Sequence, residues 1–140
     1  MISFTTIEIG FNLGNKIKIR NWIKSIITSE GKVAGDVTFV FCSDDYLGAM
    51  NEKYLKHNSF TDIITFDYSE KGKLSGDICI SIERIQENAI HFETSFDKEL
   101  ARVMAHGVLH LSGYKDKTQD HKKVMRGKED FYLASFPGLN

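Results

Sequence analysis

The chain is 140 residues long, 41% hydrophobic and 26% charged, with 11 Gly and one Pro; this fits a single globular domain over residues 1–140 and excludes a fibrous or disordered chain. A formal net charge of −1 excludes a general basic coat for nucleic acid: residues 1–35 and 97–140 carry an excess of Lys and Arg, residues 36–96 an excess of acids, so any polyanion site is local. No stretch approaches the roughly 18 continuous apolar residues of a membrane span, and the first residues lack the basic start and apolar run of a secretory leader. Cys42 and Cys79 each lie in a short apolar run, where a free thiol behaves as a small buried hydrophobe, and a cytoplasmic protein is expected.

Residues 2–9 are rich in β-branched side chains and predict a strand closed by a Gly-Phe-Asn-Leu-Gly turn. Asn15 is expected to cap a helix over 16–30, where Ile19, Trp22, Ile23, Ile26 and Ile27 recur at helical spacing and Gly31 ends the run. Residues 37–41 predict a compact apolar strand, after which Ser43 or Asp44 opens a helix through Tyr46, Leu47, Met50, Tyr54 and Leu55. Residues 63–68 and 74–82 read as two strands joined by a turn at Gly72 and paired antiparallel. A helix over 82–92 carries Ile85, Ala89 and Ile90 on one face and breaks at Thr94-Ser95. The helix over 97–111 has a stripe of Leu100, Val103, Met104, Gly107, Val108 and Leu111, with Ala101, Ala105 and Leu109 behind it; apolar nearly all round, it is expected to be central. A last helix, opened by Thr118 or Asp120, runs through Val124, Met125 and Phe131. The expected fold is α/β (α+β): a mixed sheet of about four strands covered by helices, with a metal site on the central helix.

Chemistry concentrates in residues 105–121. His106 and His110 are spaced i, i+4, which stacks two imidazoles on one helical face, within reach of one cation. A catalytic site of the zinc type needs a third protein ligand and an open position for water. Gly113 permits the left-handed turn that closes the helix and returns Asp116 toward the pair; His121, five residues further on, competes for the third place. Peptidases of the H-E-x-x-H type carry a general base directly after the first ligand, and here that position is Gly107, which has no side chain to move a proton. Peptide hydrolysis is therefore disfavoured. Thr61 and Asp62 precede the strand at 63 and are candidates to line the cleft, and Asp77, which follows Gly76, is a candidate to stand behind a metal-bound histidine. His57 and His91 lie near helix ends and receive no catalytic role.

The stretch His106-Gly107-Val108-Leu109-His110-Leu111-Ser112-Gly113-Tyr114-Lys115-Asp116 resembles the H-G-x-L-H-L-x-G-Y-D-H motif of the YbeY family of bacterial endoribonucleases, which act in ribosomal RNA maturation and ribosome quality control. Thr61-Asp62-Ile63-Ile64-Thr65-Phe66 resembles that family's T-D-V-L-S-F segment, and Gly76-Asp77 its Gly-Asp before a strand. The match departs at Lys115 and Asp116, the latter standing where the family has its third metal-binding His. The family's cleft arginine falls on Leu55, with Lys56 the nearest substitute cation and Lys53 and Lys115 weaker ones. The resemblance implies hydrolysis of single-stranded RNA with one divalent metal, expected to be zinc, and ribosomal RNA, with ribosomal subunit proteins, as partners. It names no general base. An RNA-binding assembly factor with a structural metal and a hydrolase of small substrates stand as alternatives.

Overall fold

The computed structural model describes residues 1–55 and 61–139. Four strands, β1 (Ile2–Ile7), β2 (Val33–Cys42), β3 (Ile63–Asp67) and β4 (Lys73–Ser81), form one mixed sheet in the order β1-β2-β4-β3. β1 and β4 each run parallel to β2, and β3 closes an antiparallel hairpin on β4, as its turn at Gly72 predicts. Among the described residues, five helices pack with the sheet: α1 (Lys16–Ser29), α2 (Asp44–Leu55), α3 (Ile82–His91), α4 (Phe96–Leu111) and α5 (Gln119–Leu133). The second strand is longer than the apolar run at 37–41: it starts at Val33 and absorbs an irregularity between Ala34 and Val37. A Cβ on Gly35 there would stand 2.7 Å from the Leu74 carbonyl oxygen.

Residues alternate across the sheet. One face sets Phe39, Phe41, Ile78 and Ile80 against Ile19, Ile23, Ile26 and Ile27 of α1 and the full predicted stripe of α4. The other sets Val40, Cys42, Ile64 and Cys79 against Leu47 of α2. Burial pushes the Cys42 thiol up to about 12 and the Cys79 thiol to about 11, and no disulfide joins them.

Four helices begin on a hydroxyl that accepts from the helix's own amides: Ser43 from Tyr46, Ser81 from Arg84, Ser95 from Lys98 and Thr118 from His121. The fifth departs from expectation. Asn15 precedes α1 in the left-handed conformation, φ 57°, and its side chain makes no cap; its amide donates instead to the Gly138 carbonyl, tying the chain's end to α1. Two apolar stripes are also corrected. Ile90 is exposed while Ile85 and Ala89 are buried, and in α5 the buried residues are Met125, Glu129 and Tyr132 rather than Val124 and Phe131.

The contact that sets α4 on the sheet is made at glycines. A Cβ on Gly107 would lie 2.7 Å from the Ile78 Cγ2 methyl and 3.0 Å from Ile63 Cδ1, and a Cβ on Gly76 would lie 2.4 Å from the Phe66 carbonyl oxygen and 3.1 Å from a Leu111 methyl. Gly in mid-helix costs about 1 kcal/mol against Ala, so this spacing is kept against local propensity. Both Gly107→Ala and Gly76→Ala are expected to lower the unfolding free energy, by about 1–3 kcal/mol. Gly76→Ala is the worse of the two, because its clash is with backbone, while the clash at Gly107 is with side chains and the gained helix propensity offsets part of it. Urea unfolding of the variants checks the sign and the order.

Candidate metal centre

α4 presents Glu99, Arg102, Val103, His106 and His110 along one face, and these form the floor of a cleft of about 610 Å³. One wall is α5, through Lys122, Met125, Arg126 and Glu129; the other is Thr61–Thr65 with Asn88 and Phe92 of α3 and its end. Both histidine rings are held by their Nδ1 atoms. His106 Nδ1 meets Glu129 Oε2 at 2.7 Å, and the buried Glu129 accepts from Arg102 Nη1 at 2.9 Å through its other oxygen. The second Arg102 nitrogen donates to Asp130 at 2.6 Å. His110 Nδ1 donates to the Tyr114 carbonyl at 3.0 Å. A donor role at Nδ1 leaves the lone pair on Nε2, the form that binds a metal.

The Tyr114 carbonyl reaches His110 because the helix ends in a Schellman turn. Gly113, at φ 109°, donates to the His110 carbonyl, and Tyr114 to that of Leu109. The Tyr114 hydroxyl is anchored in turn, donating at 2.6 Å to Glu30, which also accepts from Tyr132 and from Lys128 at 3.3 Å. Burial would raise the Glu30 carboxyl, but these donors hold it below the usual range.

The turn brings Asp116 Oδ2 to 3.2 Å from both His106 Nε2 and His110 Nε2, with the ring centroids 4.6 Å apart. Among the described residues, the donor atoms of His106, His110 and Asp116 lie within 4.8 Å of one another. Two imidazole nitrogens and a carboxylate oxygen converging at the edge of an open cleft fit a zinc-type ion with positions left for water. His121 is not in this group and does not line the cleft; it sits in the first turn of α5, its buried Nδ1 without a hydrogen-bond partner among the described residues.

The four carboxyls of the cleft differ according to what they face. Burial would raise Asp116, but the two histidines hold it below the usual range. Asp62 is raised by burial despite His106 and the amide of Asn88, which donates to its Oδ2 at 3.1 Å. Glu99 is raised by burial and by Asp62. Glu129 spends both oxygens on Arg102 and His106. Burial would lower His106, but Glu129, Asp116 and Asp62 raise it above the ordinary imidazole value.

Thr61 and Asp62 line the cleft. Lys56 and His57 lie outside the described residues. Asp77 does not stand behind a histidine: it pairs in register with Thr38 and Phe66 on the α2 side of the sheet, while its neighbour Ile78 faces Gly107. Glu129 and the Tyr114 carbonyl take that role. Sequence reasoning passed over Glu129, Arg102 and Glu30; the available signal was an acid at i+4 from Met125 and three before Tyr132, on the stripe α5 buries.

A family model described as endoribonuclease YbeY matches residues 7–137. Relatives named endoribonuclease YbeY include one from Flavobacterium psychrophilum, 48% identical over 136 residues, covering 97% of this chain and 96% of its own. Another, from Phocaeicola vulgatus, is 41% identical over 134 residues, covering 96% and 97%. The solution structure of TM1509 from Thermotoga maritima is similar with a TM-score of 0.65 at 28% identity, over 95% of this chain and 87% of that one.

Glu129 has a measurable role in the metal-free protein. Because the folded pKa of His106 is raised, the stability it contributes is fully present below the unfolded imidazole value of about 6.5 and is lost as pH rises through the folded value. Glu129→Gln is expected to flatten that loss in thermal melts taken across neutral pH, and to weaken metal binding by about 10–100-fold.

Proposed function

The chain belongs to the YbeY family of endoribonucleases, and we propose that it cleaves single-stranded RNA at a zinc ion held by His106, His110 and Asp116. The carrying observation is the convergence of both Nε2 atoms on one Asp116 oxygen at the floor of an open cleft. A bound zinc ion supplies Lewis acidity and a water acidic enough to attack a phosphodiester near neutral pH.

The chain's own residues prepare that chemistry. Glu129 and the Tyr114 carbonyl fix both imidazoles with Nε2 toward the cleft, so no ring has to turn when a ligand arrives. Asp116 adds a negative charge that an all-histidine set lacks, which makes the site a poorer Lewis acid and its water less acidic. We assign Asp62 as the proton acceptor. It lines the same cleft, and burial holds its carboxyl above the usual range while the two histidines hold that of Asp116 below it. We assign ribosomal RNA as the substrate and the ribosomal subunit as the setting. The cytoplasm is the proposed compartment, and no helix of the described residues is long and apolar enough to cross a membrane.

Metal analysis of the purified protein, joined to cleavage of labelled single-stranded RNA, tests the proposal. About one zinc per chain and cleavage abolished by chelator and restored by zinc are expected. His106→Ala, His110→Ala and Asp116→Ala should release the metal, while His121→Ala should keep it. Metal retention in Asp116→Ala with loss in His121→Ala would overturn the ligand assignment. RNA binding with a full metal complement and no cleavage would turn the reading toward an assembly factor.

A further inference from the structure

The two walls of the cleft differ in chemistry. On α5, Lys122 and Arg126 are exposed, stand one turn apart on the face that lines the cleft, and form no ion pair among the described residues. Arg102 between the walls is different: both of its terminal nitrogens are spent on Glu129 and Asp130. Across the floor, the wall built by Thr61–Thr65 and α3 offers no cation among its described lining residues and carries Asp62, with Glu99 at its foot. That wall also carries Phe92. The residue is 59% exposed, and among the exposed large apolar residues described it alone also lines the cleft. The ring stands T-shaped to that of His91, at a centroid distance of 4.9 Å.

A cationic wall facing an aromatic and acidic one sorts the two halves of a nucleotide. Phosphates are drawn to Lys122 and Arg126 and repelled from Asp62, whereas a base finds a stacking partner at Phe92. We propose that single-stranded RNA lies across the histidine floor with its phosphates on Lys122 and Arg126 and one unstacked base on Phe92. This rests on the reading of the cleft as an RNA-cleaving site, and it adds the strand's orientation and the reason for single-strand preference. A duplex keeps its bases stacked on one another and cannot give one to Phe92.

The test is binding of a fluorescein-labelled single strand, 2′-O-methylated and phosphorothioate-linked to resist hydrolysis, to the zinc-loaded protein across a salt series, with metal content measured alongside. All three side chains are exposed, so their replacement should leave folding and metal content intact. Phe92→Ala is expected to weaken binding about tenfold or more without changing the salt slope, and Phe92→Trp to restore it. Lys122→Ala and Arg126→Ala should each weaken binding and lower the slope of log affinity against log salt by about 0.7. Wild-type affinity and slope in Phe92→Ala and in the Lys122→Ala, Arg126→Ala double variant, with RNA cleavage preserved, would overturn this proposal alone. A wild type that holds zinc yet neither binds nor cleaves single strands would overturn the underlying reading as well.

Discussion

The contact between Gly107 and Ile78 fixes the rotation of α4, and the candidate metal centre depends on that rotation. A helix turns roughly 100° per residue, so with Gly107 pressed on the sheet, His106 lies about 100° to one side and His110 about 60° to the same side. Both imidazoles therefore emerge along the edge where helix and sheet part, which is where the cleft opens. A side chain at 107 would push the helix off Ile78 and roll the histidines out of line. The same geometry explains why no general base follows the first histidine: that position faces the sheet. Leu111 over Gly76 repeats the arrangement one turn later, so two points rather than one define the helix's seat.

Around this floor, charges are placed by what each group touches rather than by how many acids are nearby. Arg102 and Glu129, with side chains only 14% and 6% exposed, form a pair that adds little net stability after desolvation but leaves Glu129 no freedom to turn away from His106. Glu30 does the equivalent for the other histidine at longer range, because it holds the Tyr114 hydroxyl while the Tyr114 carbonyl holds His110. α1, α4 and α5 thus all contribute to the orientation of two rings.

Much of the framework could be read from residue periodicity. The α1 stripe, the α4 stripe, the β3–β4 hairpin and the histidine pair with its returning Asp116 are local patterns, in which neighbours in sequence are neighbours in space. What was not legible depends on partners far along the chain. Glu129 acts on a histidine 23 positions earlier, and Glu30 on a tyrosine 84 positions later. Asp77 was misplaced because alternation along a strand says that it lies opposite Ile78 but not which face α4 covers. Asn15 looked like a cap by residue type, yet asparagine also tolerates the left-handed region, and the chain's end took its side chain. In α3 and α5, apolar residues at helical spacing were left in solvent because each helix covers only a narrow strip of core.

The two buried cysteines decide which donors a metal ion meets in the folded protein. In the unfolded chain Cys42 and Cys79 are the softest donors present and would compete with the histidines for a transition-metal ion. Once the sheet forms, both thiols are enclosed on the α2 side, opposite the helix that carries the histidines, and burial keeps them protonated and unable to ligate. Folding thus takes the competing thiols out of reach, so a metal ion that meets the finished domain is offered the imidazoles and carboxylate of the cleft and not the thiols.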